Sequence, residues 1–309
     1  MIRKPMLAAP TTGKTDELTA KNMKLVEASL PLRGSPKLDG IRALHTQTHG
    51  FVSRKFKPIP NTHIRTTVEG LDLIGMDGEL VTFNKDGTIR TFNEIQGDVM
   101  RKEGTPRFQF IIFDDFSCPL AAFDKRLLEA QRRISRADDP DGVLHFLPHI
   151  TVTTIEELRE YTREALDQGY EGAMFRHPDG LYKEGRSTVR QTWLVKMKRF
   201  EDAEGTIIGF EERMHNGNEA KKDATGHTDR SSCKENMVPT DTLGALILDT
   251  EWGELKVGSG FNDAMRQNIW GTQSAHLGMT VTFTYQPFGA KDKPRFPVFK
   301  GFRHQDDIS

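Results

Sequence analysis

A chain of 309 residues has room for two compact domains or one large one. Its 36% hydrophobic and 28% charged residues describe a globular protein with material for a core, and no apolar run approaches the roughly 20 residues that span a bilayer. A formal net charge of −1 rules out a uniformly basic coat, and two cysteines, Cys118 and Cys233, rule out a four-cysteine zinc site or a disulfide framework. The start, Met1-Ile2-Arg3-Lys4-Pro5, lacks the apolar stretch of a secretory signal, so the expectation is a cytosolic protein without a structural metal.

In chain order, Thr15-Asp16-Glu17 predicts a helix start with Leu18, Val26 and Leu30 behind it. Phe108 to Phe113 is an apolar run broken only by Gln109, which suits a buried strand. Thr154-Ile155-Glu156-Glu157 has the form of a capping box. It opens a helix with Ile155, Leu158, Thr162, Ala165 and Leu166 on one face and Gly169 past its end. Mixed strands and helices predict an α+β domain over residues 1–200. From residue 201 to 309 the pattern changes to short strands: Thr206 to Phe210, Leu243 to Leu248, Leu255 to Val257, and Thr280 to Tyr285 with Val281, Phe283 and Tyr285 alternating. That spacing predicts a small β-barrel, interrupted between Arg213 and Thr240 by a polar loop or insertion.

Charge is clustered. Lys183, Arg186, Arg190, Lys196, Lys198 and Arg199 face one anion, Glu184; Lys291, Lys293, Arg295, Lys300 and Arg303 face Asp292. One such run reads as a solvated face, whereas two with aromatics between them point to phosphate binding.

The chemistry centres on Ser35-Pro36-Lys37-Leu38-Asp39-Gly40-Ile41-Arg42. A lysine is a nucleophile only when deprotonated, and an ordinary pKa near 10.4 prevents that at neutral pH. Burial and neighbouring cations such as Arg42 lower it, and Asp39-Gly40 supplies a turn that aims the amine into a cleft. Alone, this motif is more often a turn with a salt bridge. Further groups follow in order: the Ser53-Arg54 cation, the Asp77-Gly78-Glu79-Leu80 carboxylates at a turn, the Phe113 ring, the Glu171-Gly172-Ala173-Met174 carboxylate, and Lys196 and Lys198 on one face of a strand. On their own, Phe113 reads as core, the two glutamates as turn carboxylates and the lysines as a solvated face.

The ordered set resembles the covalent nucleotidyltransferases, and most of all the small ATP-dependent DNA ligases of viruses and bacteria, over essentially the whole chain. The resemblance implies a nucleotidyltransferase domain followed by a C-terminal OB-fold barrel, with ATP and Mg2+ as cofactors and nicked duplex DNA as substrate. It implies that Lys37 takes AMP from ATP, passes it to the 5′-phosphate of a nick, and that the 3′-OH then displaces AMP. It implies nucleotide or phosphate contacts for Arg42 and Arg54, ribose and metal contacts for Glu79, adenine stacking for Phe113, a metal contact for Glu171, and α-phosphate contacts for Lys196 and Lys198. Arg295, Lys300 and Arg303 would orient the pyrophosphate. Many relatives carry Glu where this chain has Ser35, which leaves the adenine contact there open.

The alternatives are an RNA ligase, another covalent nucleotidyltransferase, or a non-catalytic OB-fold protein that needs no intact lysine set. Capping enzymes generally carry Asp-Gly where this chain has Glu171-Gly172, and NAD-dependent ligases carry a zinc finger. The polar stretch, with Lys221, Lys222, Arg230 and Lys234 and few apolar anchors, is expected to order on DNA. A membrane-free monomer is expected.

Overall fold

The computed structural model describes residues 2–10, 20–198, 201–286 and 293–303. The expected helix start at Thr15-Asp16-Glu17, Leu18, and the charges Arg199, Lys291 and Asp292 lie outside these residues. The chain divides into two units, Met1–Lys198 with Ala224–Gly226, and Arg199–Asp223 with His227–Ser309. Among the described residues, no helix is long and apolar enough to cross a membrane.

The first unit runs α1 (Ala20–Glu27), β1 (Leu32–Pro36), β2 (Ile41–Thr46), β3 (Gly50–Ser53), α2 (Thr62–Glu69), β4 (Met76–Thr82), α3 (Phe92–Met100), β5 (Phe108–Asp115), α4 (Phe123–Arg136), α5 (Ile155–Asp167), β6 (Gly172–Arg176) and β7 (Val195–Lys198). Two five-stranded sheets result. One has the order Ala9–Pro10, β7, β6, β1, Ile150–Val152; the other has the order β3, β2, β4, β5, Leu144–Phe146. Alternation in the strands explains the layering. On β6 and β7, Ala173, Phe175, Val195 and Met197 pack outward with Val26 of α1 and Ile155 and Leu158 of α5. Phe110 and Ile112 of β5 pack on the other outer side with Ile64, Val68, Ile95, Val99 and Ala130 of α2, α3 and α4. A third cluster joins Leu44 and Val52 to Leu194 and Tyr182, with Met174 and Trp193 against it. Each fully buried side chain of this size contributes about 1.5–3 kcal/mol.

The capping prediction for α5 is met with a shift. Thr154 Oγ1 accepts from Glu157 N–H at 3.1 Å, while Glu157 reaches back to Thr153 N–H at 2.6 Å, and Gly169 takes φ +86° beyond the helix. The expected turn at Asp77-Gly78-Glu79-Leu80 is instead the interior of β4. Its polar residues lie in a strand because one side of this sheet is lined with charge.

The second unit contains β8 (Glu201–Asn216), β9 (Met237–Thr250), β10 (Gly253–Val257), α6 (Asp263–Gly271), β11 (Thr280–Gln286) and β12 (Arg295–Phe302), in the sheet order β10, β9, β8, β11, β12. Ser259 bridges Val298 in parallel, and Phe299 N–H donates to Ser259 O at 2.9 Å, so the sheet curls until its two ends meet. This is the five-stranded OB arrangement. Ile207, Leu246, Leu248, Val257, Ile269, Val281, Phe283 and Phe299 fill its interior.

The polar stretch is not an irregular loop. β8 and β9 stay paired out to Asn216–Met237, and a small hairpin, Ala220–Lys222 with Thr228–Arg230, sits at the tip. Asn218, only 6% exposed, donates through Nδ2 to the carbonyls of Ser231 (3.0 Å) and Cys233 (2.8 Å). Lys222 and Arg230 are tied to Thr228 Oγ1 and Asn218 O. Polar hydrogen bonds order this hairpin without an apolar anchor.

Candidate active site

Lys37 directly continues β1. Its N–H donates to Gly172 O at 2.8 Å, and Glu171 N–H donates to Lys37 O at 3.0 Å, so the ladder itself sets the two side chains together. Gly172 is required here: its φ is +137°, and a Cβ would lie 2.2 Å from Met197 O. Lys198 is opposite Gly172 on β7. The Lys37 ammonium donates to Glu171 Oε2 and the Lys198 ammonium to Oε1, so one carboxylate holds two lysines. All three are mostly shielded, at 22%, 14% and 13% side-chain exposure for Lys37, Glu171 and Lys198, which strengthens the pairing relative to a surface bridge. Lys196 is two residues from Lys198, on the same face, in a row with Met174 and the buried Ser35.

The second sheet supplies further groups. Arg42, Glu79 and Ile111 form one row across β2, β4 and β5. Gly40 admits Leu80 O, which would lie 2.4 Å from a Cβ there. Burial pushes the Glu79 carboxyl up to about 7; the Lys37 and Arg42 charges oppose the rise, while Asp77 and Asp39 add to it. Glu79 accepts no hydrogen bond among the described residues. Arg42 is a bidentate partner of the fully buried Asp77 (Nε–Oδ1 2.9 Å, Nη2–Oδ2 2.6 Å), and its Nη1 donates to Met6 O at 2.6 Å. Tyr182 Oη donates to Asp77 Oδ2 at 2.6 Å, and burial, then Asp77, push that hydroxyl well above its ordinary value, so it remains a donor.

Phe113 departs from the buried-strand expectation. A bulge between the Asp77–Asp114 and Gly78–Ile112 pairs leaves it as the extra residue of β5, half-exposed between buried Ile112 and Asp114. Arg42 and Arg176 place their guanidinium carbons 5.6 and 5.5 Å from its ring centre. Beneath it, Asp114 accepts from Arg176 Nη1 at 2.6 Å and Arg126 Nε at 2.8 Å. Burial pushes the Asp114 carboxyl up, but the two arginines outweigh burial and hold it below the usual range.

Lys37, Glu171, Lys198, Lys196 and Ser35 therefore share one sheet, and Arg42, Glu79 and Phe113 share the other. Arg54 sits exposed in the turn just after β3, where Phe56 N–H donates to Ser53 O at 2.8 Å. Arg295, Lys300 and Arg303 belong to the second unit, where Lys300 pairs with Asp202 at 2.6 Å, Arg303 pairs with Glu204, and Arg295 lies 5.5 Å over the Phe296 ring. Sequence reasoning named Asp77 only as a turn carboxylate and missed its buried role, together with Asp114, Arg126, Arg176 and Tyr182. A period-2 reading of β4 would have put Asp77 on the Glu79 face.

For a divalent ion, the described residues hold no cluster of three or more His, Cys, Asp or Glu side chains. Glu171 and Glu79 both interact with Lys37, and Glu79 has acceptor capacity to spare. Mg2+ commonly uses one or two carboxylates together with substrate phosphates, so this donor set fits it.

Residues 5–198 match the family described as the ATP dependent DNA ligase domain. The chain belongs to the ATP-dependent DNA ligases. Residues 236–303 match the DNA ligase OB-like domain of such enzymes. A DNA ligase of Haemophilus influenzae is 23% identical over 276 residues, 87% of each chain. One from Methanothrix thermoacetophila is 27% identical over 252 residues, 74% of this chain but 41% of that longer protein. Among solved structures, Chlorella virus DNA ligase-adenylate is 30% identical, with a TM-score of 0.53, covering 99% of this chain and 100% of that one. A Lig E DNA ligase shares the fold at 23% identity and a TM-score of 0.68, over 98% and 100% of the two chains.

Proposed function

We propose that this ligase seals 5′-phosphate/3′-OH nicks in duplex DNA through an AMP covalently held on Lys37. The observation that carries the reading is the single carboxylate of Glu171 shared by Lys37 and Lys198. In the first step the Lys37 amine attacks the α-phosphorus of ATP. An N–P bond forms, the P–O bond to pyrophosphate breaks, and the leaving group takes the electron pair. The amine must first lose a proton, and the Glu171 carboxylate that it already contacts is the acceptor within reach. Lys196 and Lys198 neutralise charge building on the α-phosphate, Phe113 stacks on adenine, and Glu79 accepts from the ribose. Mg2+, held through Glu171 and Glu79 and by the nucleotide phosphates, would supply further neutralisation of the phosphate oxygens.

Arg42 is locked by Asp77 and Met6 O, which suits a fixed phosphate contact, and the exposed Arg54 is assigned a second. Arg295, Lys300 and Arg303 are the groups we assign to the pyrophosphate; reaching it requires exchange of the Asp202 and Glu204 pairs for phosphate oxygens. We also infer a cytosolic monomer; the two cysteines, both free and exposed, suit a reducing compartment.

Incubation with α-labelled ATP and Mg2+ tests the reading. The label stays on the chain through an acid-labile bond and is lost in Lys37→Ala and Lys37→Arg, because a guanidinium remains protonated. Lys37→Ala still closes a nick that already carries 5′-AMP, since that step does not use the covalent lysine. Absence of label on the wild-type chain from any nucleoside triphosphate sinks the proposal.

A further inference from the structure

Away from the Lys37 site, the first unit carries a cavity of about 440 Å³ rimmed by charged side chains, between the turn after β4 and the loop that follows α3. Its walls are built. Asn61, fully buried, donates through Nδ2 to the carbonyls of Asp98 (3.3 Å), Arg101 (3.1 Å) and Gly104 (3.3 Å), while its Oδ1 accepts from Ile64 N–H at 2.9 Å. Across the opening, Asp86 Oδ1 accepts from Thr88 N–H (2.9 Å) and Oγ1 (2.7 Å) and fixes the turn.

Lys85, Arg90, Arg101 and Arg107 bring four cations to this cavity against two anions, Asp98 and Glu103. Asp98 is already engaged, by Thr82 Oγ1 at 2.7 Å and Arg90 Nη1 at 3.1 Å. Arg90 Nε is buried with no hydrogen-bond partner. Arg107 stacks 5.6 Å over the Phe83 ring, and a stacked guanidinium keeps its N–H edge for another group. The ring is thereby occupied, so the cavity offers cations and N–H donors rather than a stacking surface: it suits a phosphate, not a base.

Position selects the source of that phosphate. Phe83 lies four residues beyond Glu79 along β4 and its continuation, roughly 13 Å at about 3.3 Å per residue. One strand of B-DNA advances about 3.4 Å per nucleotide, so the same span is about four nucleotides. We propose that this cavity grips a backbone phosphodiester of the DNA substrate about four nucleotides from the nick, and so sets how much duplex the enzyme needs on one side. The inference rests on the ligase reading above.

The test compares the wild type with the double variant Arg101→Ala/Arg107→Ala. Self-adenylation with α-labelled ATP stays at the wild-type level, whereas the Kd for nicked duplex rises about tenfold or more near physiological salt. The slope of log K against log salt flattens by about 1.8, for two lost phosphate contacts at about 0.9 each. Arg101→Lys/Arg107→Lys, which keeps the charge, retains most of the affinity. Unchanged affinity and slope in an alanine variant that still takes label overturns the proposal and leaves the ligase reading standing; a wild type that takes no label overturns the ligase reading first. Protection of the wild type, but not the variant, by inorganic phosphate or pyrophosphate, with DNA affinity unchanged, identifies a free-anion site and also overturns it.

Discussion

The two units hold their charges in opposite ways. In the first, Asp77, Asp114, Arg126, Arg176 and Tyr182 are buried within a dense set of mutual hydrogen bonds, and the groups assigned to nucleotide chemistry stand on them. In the second, Lys300–Asp202, Arg303–Glu204 and Lys256–Glu211 pair at the surface, with 34–56% of each side chain exposed. Buried pairs fix geometry and penalise loss of either partner, whereas exposed pairs exchange partners at little cost. The difference teaches that one unit fixes its charged side chains in place, whereas the other holds them in pairs that can exchange partners.

The comparison breaks most visibly at Asp114. Replacing it by Ala strands Arg126 and Arg176 and costs about 3–5 kcal/mol of stability, read by urea denaturation. A loss below about 1 kcal/mol would show that the buried network is not rigid. Removing the hairpin tip beyond the Asn216–Met237 pair weakens nicked-DNA binding about tenfold and leaves Lys37 labelling intact; equal loss of both removes the distinction between the units.

Glu79 sharpens the comparison by pH. Its carboxyl lies at about 7 in the folded chain, above the ordinary value near 4.5, so the folded state binds the proton more tightly than the unfolded one. Stability therefore falls as pH rises from that ordinary value through about 7, and is level above it. The ionised form needed at a metal or ribose contact accumulates over the upper part of the same window. Self-adenylation is expected to climb severalfold between about pH 6 and pH 8, and Glu79→Gln to lose that limb. A wild-type profile without a rise near neutrality contradicts the role. The smallest effect is expected at Lys300→Ala, where an exposed pair is lost: at most about 1 kcal/mol in stability, alongside a clear fall in labelling rate.

Much of this was legible in the sequence because local rules sufficed. Period 2 put Lys196 and Lys198 on one face, Thr154 marked the start of α5, and the alternating strand Thr280–Gln286 announced the second sheet. The ordered residues around Lys37 pointed to the family. The turn reading of Asp77–Leu80 failed because Asp-Gly is a turn signal only when no neighbouring strand claims the backbone, and β2 and β5 both do. The polar stretch read as loop because its order rests on Asn218 and its carbonyl partners, which leave no apolar period behind. The Asp77–Tyr182 bond joins residues 105 positions apart in the chain, and no window could show it.

Glu171 carries a consequence for what happens after the first turnover step. Two ammoniums lean on its two oxygens while Lys37 is unmodified. On the proposed route Lys37 becomes a phosphoramidate and is no longer a cation, so the carboxylate would keep one counter-charge where it had two. The modified chain is then electrostatically a different molecule at that spot, more receptive to positive charge than the chain that entered the reaction.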